Sequence, residues 1–215
     1  MAHCTVRGCQ LWYQISGEGD YLLQIGGAGF AHENFALVTD SMTEHFSVIE
    51  FDLRGYGLSE RPVQAYSMEV WADDIADLLR AIDVEKTHVH GTSLGGTIAL
   101  ALASKYPELI DRLVVDCALA KADETADAHM EVWKALARSY GMGGRELALM
   151  IATHCLSRDF LDSPAGTETI ETISGVLERN CAVEVFTAAL DAVQEADLRA
   201  DLSKITAPTL VMVGD

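Results

Sequence analysis

The chain has 215 residues and a net charge of −18, from 33 acidic and 15 basic side chains. An acidic surface disfavours nucleic acid and anionic membranes as partners, although its simpler effect is to keep a protein soluble. Hydrophobic residues make up 49% of the chain, which suffices for a sizeable core. The length therefore predicts one domain, or one domain with an insertion.

The cysteines and the first residues bear on the cellular compartment. Five cysteines are an odd number and include no C-x-x-C pair, a pattern typical of free thiols in a reducing compartment. The N-terminus lacks a basic and then apolar signal pattern, and no apolar run is long enough to span a membrane. We therefore expect a cytoplasmic protein.

Predicted strands and helices alternate along the first part of the chain. In order they are a β-hairpin over 3–16, a strand over 21–25, a helix over 33–43, a strand over 46–51 and a helix that Ser67 caps. In this last helix the apolar positions face a core, and the same pattern predicts that Asp73, Asp74 and Asp77 face water.

The stretch from Gly91 to Gly95 has the pattern Gly-x-Ser-x-Gly, between a short apolar run and a long apolar helical run. This order predicts a nucleophile elbow, a sharp strand-to-helix turn with Ser93 at its apex. The turn leaves little room for a Cβ at Gly91 and Gly95, and it directs the N–H of Leu94 towards a developing oxyanion. The simpler alternative is a glycine-rich turn in which the serine caps the helix.

A strand over 112–117 follows, and then the alternation stops. Helices are predicted over 127–140, 144–156, 168–180 and 182–196, before a last strand over 209–213. The alternating part indicates an α/β fold with a mostly parallel sheet and helices on both faces. The helical part is interpreted as an insertion.

Four stretches together resemble the α/β-hydrolase superfamily: 22–29, 52–59, 91–96 and 207–214. The chain is most similar to the bacterial branch that contains esterases, enol-lactonases, haloperoxidase-like proteins and carbon–carbon bond hydrolases. The resemblance implies a hydrolase core over 1–120 and 196–215. It also implies that the helices of 121–195 form a cap over the active site.

The resemblance also implies roles for individual residues. Ser93 corresponds to the nucleophile, and the N–H groups of Ala28 and Leu94 correspond to the oxyanion hole. Gly27 belongs to the oxyanion loop, as Gly91 and Gly95 belong to the elbow. The chain departs from the family at Gly26 and Thr92, where histidine is common.

In the family, the acid of the triad comes three residues after the glycine that closes the last matched strand, and the histidine comes later. That glycine is Gly214, so we expect a truncated chain whose acid and base lie beyond residue 215. The 215-residue chain alone is then expected to be a poor or inactive hydrolase. Its strand 209–213 would be an apolar sheet edge, open to self-association or to a C-terminal fragment.

Other residues of the chain are alternatives for the missing acid and base. His88 and His90 lie on the elbow strand and are interpreted as structural, whereas His32 follows the oxyanion loop and could contact the pocket. His129 and His154 fall on cap helices, and we expect them to lie on the surface or in the wall of the pocket. Three acids remain as alternatives for the triad acid: Asp116, Asp123 and Asp215.

Several cap residues are interpreted mainly as packing, and Met130 and Trp133 as possible pocket residues. No metal-ligand spacing occurs among the histidines, and the glycine run lacks a dinucleotide fingerprint. We therefore expect neither a metal nor an organic cofactor.

Two functions remain open at this point. The first is a serine hydrolase of a small ester or lactone that works through an acyl-enzyme on Ser93. The second is a non-catalytic ligand-binding or signalling module on the same fold, because a fold does not fix a function.

Overall fold

The computed structural model describes residues 2–62 and 64–214, which form a seven-stranded sheet with flanking helices. The proposed alternative acid Asp215 lies outside the described residues. The strands are β1 (Ala2–Val6), β2 (Cys9–Ser16), β3 (Asp20–Ile25), β4 (Phe46–Phe51), β5 (Thr87–Thr92), β6 (Ile110–Asp116) and β7 (Thr209–Met212).

Across the sheet the strands follow the order β1-β2-β4-β3-β5-β6-β7. The pairs that involve β2 are antiparallel, and the pairs from β4 across to β7 are parallel. This arrangement confirms the predicted α/β fold. Parallel neighbours also bring the carboxyl ends of β3, β4, β5 and β6 to one edge, where sites form in sheets of this kind.

Eight α-helices accompany the strands over the described residues. They are α1 (Ala36–Thr43), α2 (Met68–Ala81), α3 (Leu94–Lys105), α4 (Glu124–Tyr140), α5 (Arg145–Cys155), α6 (Arg158–Leu161), α7 (Pro164–Asn180) and α8 (Val183–Glu195). None of them is long and apolar enough to cross a membrane. The five cysteines, all within the described ranges, are free thiols.

Local sequence signals account for several of these boundaries. The first hairpin turns at Arg7 and Gly8, both with positive φ (49° and 73°), and its predicted position is confirmed. The hydroxyl of Ser67 accepts the N–H of Val70 at 3.2 Å, which confirms the predicted cap of α2. The helix predicted over 33–43 begins instead with a 3₁₀ turn, His32–Phe35.

The prediction that Asp74 faces water is wrong. Asp74 is 1% exposed, and its carboxylate accepts two hydrogen bonds from the guanidinium of Arg54, at 2.6 and 2.7 Å. Arg54 follows β4, and its carbonyl accepts the indole N–H of Trp71 from α2. A charged partner distant in sequence makes the burial of Asp74 possible, and helical periodicity alone does not reveal such a partner.

The helical segment between β6 and β7 leaves and rejoins the core at neighbouring points. Lys121 and Asp197 form an antiparallel bridge and an ion pair at 3.2 Å, and the N–H of Leu198 donates to the carbonyl of Ala120 at 2.8 Å. Five helices lie in this segment where four were predicted, because the short α6 was not foreseen.

The last two helices of this segment pack on the core loops that follow β3 and β4. Leu177 of α7 and Phe186 of α8 lie against Gly29. The carbonyl of Asn180, at the end of α7, accepts the N–H of Gly57 at 2.9 Å. These helices therefore lie over the carboxyl edge of the sheet.

Candidate active site

Ser93 has a backbone conformation that few side-chain-bearing residues adopt, with φ 53° and ψ −120°. It stands between β5 and α3, and its N–H donates to the carbonyl of Asp116 at 2.9 Å. Its hydroxyl makes no capping hydrogen bond to the helix. Ser93 is thus the N-cap residue of α3 by position, but its side chain does not cap the helix, and the strained turn keeps the hydroxyl free of that local partner.

The glycines around Ser93 are required by close approach of the backbone. A Cβ on Gly91 would lie 2.6 Å from the carbonyl carbon of Gly95, and a Cβ on Gly95 would lie 2.6 Å from the carbonyl oxygen of Gly26. Real Cβ atoms do not approach backbone so closely, so the strand, the turn and the loop after β3 fit together only with glycine at both positions.

The loop after β3 lies beside the serine. A Cβ on Gly27 would stand 3.4 Å from the Cβ of Ser93. The N–H of Gly27 donates to Oδ1 of Asn34 at 3.3 Å, and the N–H of Phe30 donates to the carbonyl of Gly27 at 3.1 Å. Among the described residues, the N–H of Ala28 has no hydrogen-bond partner.

Leu94 is the first residue of α3, so its N–H is one of those that a helix cannot satisfy internally. It likewise makes no hydrogen bond within the described part of the chain. The N–H of Leu94 is thus available to a bound oxygen, and the positive end of the helix macrodipole favours negative charge at this terminus of α3.

His32 is bound by a buried carboxylate. Its Nδ1 lies 2.9 Å from Oδ1 of Asp52, whose side chain is fully buried, and its ring packs at 4.2 Å on the ring of Trp12. Asp52 also accepts the backbone N–H groups of His32 and Leu58, at 2.8 and 2.7 Å. The hydrogen bond to Asp52 raises the pKa of His32, despite its partial burial.

The two histidines of β5 make contacts within the fold. Nδ1 of His88 lies 3.2 Å from Asp111, and the ring of His90 meets Phe35 edge-on at 4.9 Å. Burial lowers the pKa of His90, although the charge of Asp116 opposes the shift. Both contacts are consistent with structural roles.

The two remaining alternative acids also have local partners. Oδ2 of Asp116 accepts the hydroxyl of Thr92 at 3.2 Å, directly beside the elbow. Oδ1 of Asp123 accepts the N–H of Ala126 at 2.9 Å and caps α4. Helix capping explains Asp123 without a catalytic role.

The two predicted pocket residues of the cap lie on α4. Met130 is 6% exposed and belongs to the hydrophobic core. The ring of Trp133 meets His154 of α5 edge-on at 5.4 Å, and His154 meets His129 at 4.5 Å. Burial, and then the charge of His129, lower the pKa of His154.

Two residues beside the site were not singled out from the sequence. Asp52 lies in one of the four matched stretches, so the resemblance contained a signal for it. Asn34 has no sequence signal, because its bond to Gly27 depends on the path of the loop between them.

Known proteins resemble this chain both in sequence and in structure. A curated 3-oxoadipate enol-lactonase of Acinetobacter baylyi is 31% identical over 175 residues, which cover 80% of this chain and 61% of that protein. A 2-hydroxymuconate semialdehyde hydrolase of a Pseudomonas species is 41% identical over 104 residues, 46% of this chain and 37% of that protein. The matched part thus spans about two fifths to three fifths of these relatives.

Solved structures superpose over nearly the whole chain. A hydrolase from Pseudomonas aeruginosa has a TM-score of 0.85 at 28% identity, with 99% of this chain and 79% of that chain covered. An enol-lactonase from Burkholderia xenovorans has a TM-score of 0.88 at 24% identity, covering 99% and 81%, and shows the shared fold. The family model for the alpha/beta hydrolase fold matches residues 22–148, which include the loop after β3 and the turn at Ser93. By this match, the chain belongs to the α/β-hydrolase family.

Proposed function

We propose that this protein is a serine hydrolase of a small ester or lactone, and that Ser93 forms the acyl-enzyme. The observation that carries the proposal is the positive φ of Ser93, together with the amides of Ala28 and Leu94, which have no hydrogen-bond partner among residues 2–62 and 64–214. The named relatives support hydrolysis, and the enol-lactonase supports a lactone or ester as the substrate class.

The reaction begins when Oγ of Ser93 attacks the carbonyl carbon of the substrate and a general base takes the hydroxyl proton. The carbonyl oxygen becomes an oxyanion, which the N–H groups of Ala28 and Leu94 stabilise. The bond to the leaving oxygen breaks, and the base returns the proton to that oxygen. Water then attacks the acyl-enzyme in the same way and releases the acid.

The proposal assigns neither the base nor its acid to a residue between 2 and 214. His32 is given no such role by the resemblance; its Nδ1 contacts Asp52 and its ring packs on Trp12. Asp123 is an unsuitable acid, because it caps α4.

We further propose that residues 121–195 form a cap that sets substrate choice. The bridge between Lys121 and Asp197 closes the segment at its base, and the contacts of α7 and α8 with the loops after β3 and β4 support this position. The free cysteines fit a protein of the reducing cytoplasm, which remains part of the proposal.

The proposal is tested with the protein expressed from its full reading frame. Ser93→Ala removes the nucleophile, so turnover of a nitrophenyl ester should fall by about 10⁴-fold or more. Ser104→Ala is a matched control, because the Ser104 hydroxyl only donates to the carbonyl of Ala101 within α3. Undiminished turnover by the Ser93 variant would refute the assignment.

A further inference from the structure

Gly26 has no side chain, and the side chain of Asn34 lies next to it. A Cβ on Gly26 would lie 3.3 Å from Cβ and 3.7 Å from Cγ of Asn34, and 3.2 Å from the carbonyl oxygen of Ala31. These distances are tighter than ordinary van der Waals contact for the first and last atoms. Asn34 therefore occupies the space that a side chain at position 26 would enter.

Asn34 also makes a directional contact with the loop. Its Oδ1 accepts the N–H of Gly27 at 3.3 Å, and its own backbone N–H donates to Ala31 at 3.0 Å, within the 3₁₀ turn that precedes α1. Gly27 is therefore held at both of its backbone polar groups. Its N–H donates to Asn34, and its carbonyl, in the peptide that carries the N–H of Ala28, accepts the N–H of Phe30.

The bond to Asn34 also distinguishes the two neighbouring amides of the loop as donors to a bound substrate. It occupies the N–H of Gly27, the glycine that lies beside Ser93, and leaves the next N–H, that of Ala28, without a partner in the described residues. An amide that is already oriented costs no reorganisation when negative charge develops on the substrate. Small displacements of such a donor reduce catalysis strongly.

We propose that Asn34 is a positioning residue that holds the oxyanion loop, so that the N–H of Ala28, not that of Gly27, faces the oxyanion. This inference rests on the proposed hydrolase function of the same site. Asn34 acts through Gly27 and does not itself touch the reacting atoms.

Two nearly isosteric variants separate the hydrogen bond from the filled space. Asn34→Leu keeps the volume and removes the acceptor, whereas Asn34→Asp keeps an acceptor oxygen. Amide hydrogen exchange, followed residue by residue on the 215-residue chain, should show faster exchange at Gly27 in the Leu variant, by about tenfold or more for a lost protecting bond. The Asp variant should retain the protection at Gly27.

The kinetic consequence is measured on the protein from the full reading frame. With Asn34→Leu, kcat for a nitrophenyl ester should fall about tenfold, less than the 10²–10³-fold that follows complete loss of an oxyanion donor. KM should stay within about twofold, because the bond serves the transition state more than the ground state. Thr39→Val is the control, since it removes a buried hydroxyl of α1 that contacts Gln24 and Phe35 and leaves Gly27 untouched.

Equal exchange at Gly27 in wild type and Asn34→Leu would overturn the inference. So would an unchanged kcat in that variant, or an equal fall in kcat with Thr39→Val. A wild-type protein that hydrolyses no ester would overturn the proposed function instead, and the exchange at Gly27 would still decide whether Asn34 holds the loop.

Discussion

At the scale of single residues, the site depends on one position whose backbone conformation is costly. Ser93 has positive φ, which costs on the order of 1–3 kcal/mol and persists only where the surroundings determine it. Those surroundings are the glycines at 91 and 95 and the bond from the N–H of Ser93 to Asp116. The motif predicts this turn because its spacing follows from backbone contact within a few residues.

The contacts of His32 and Asn34 cannot be predicted from the sequence, because they are not fixed by neighbouring residues. Each depends on the path of the loop after β3, which brings His32 to Asp52 and returns Asn34 to Gly27. His32 thus lies against Asp52, and the expectation of a pocket contact stays a prediction.

The bond between His32 and Asp52 predicts a pH-dependent contribution to stability. Since the folded state raises the pKa of His32, its stabilising effect is fully present below the ordinary pKa of about 6.5 and is lost as the pH rises through the folded value. His32→Gln should therefore lower the free energy of unfolding more at about pH 5.5 than at about pH 8.5. Urea denaturation of both proteins at the two pH values measures the difference, and an equal loss at both would contradict it.

At the scale of elements, strands and helices with regular patterns were predicted well. The strand over 46–51 and the cap of α2 match the structure, because local burial and one hydroxyl determine them. The exchange of β3 and β4 in the order of the sheet was not predictable from pattern alone, since each is simply a short apolar run. The burial of Asp74 within α2 is likewise not predictable from the pattern of the helix, because it depends on Arg54, which is distant in sequence.

Asp74 and Asp77 offer a direct comparison on α2. Breaking the buried pair with Arg54 by Asp74→Ala leaves an uncompensated guanidinium and should cost about 3–5 kcal/mol of unfolding free energy. Asp77 pairs with Arg80 at the surface, at 3.1 Å, and Asp77→Ala should cost less than about 1 kcal/mol. Chemical denaturation measures both, and similar losses would contradict a structural role for the buried pair.

At the scale of the whole molecule, the sheet has one apolar edge. β7 pairs with β6 on one side, and the exposed fractions of Leu210, Val211 and Val213 are 55%, 69% and 83%. An exposed apolar edge strand presents unpaired backbone groups to another chain. We propose that this edge accepts a second copy of the chain or a C-terminal fragment supplied separately.

The 215-residue chain should therefore associate as its concentration rises, and Val211→Lys should weaken the association, because a charge on an edge opposes pairing. Light scattering across a concentration series measures the association of both proteins. Leu37→Lys is the matched control, since Leu37 is a fully exposed apolar residue of α1 away from the edge. A chain that stays monomeric, or an equal effect of the control, would contradict the prediction.

The central claim is that Ser93 is the activated nucleophile of the protein. The most direct measurement is labelling of the protein from its full reading frame with a fluorophosphonate, followed by peptide mass spectrometry. The account predicts one phosphonate on the peptide that carries Ser93, and none on that peptide in Ser93→Ala. Labelling of a different residue, or ester turnover by a protein whose Ser93 remains unmodified and unreactive, would contradict it.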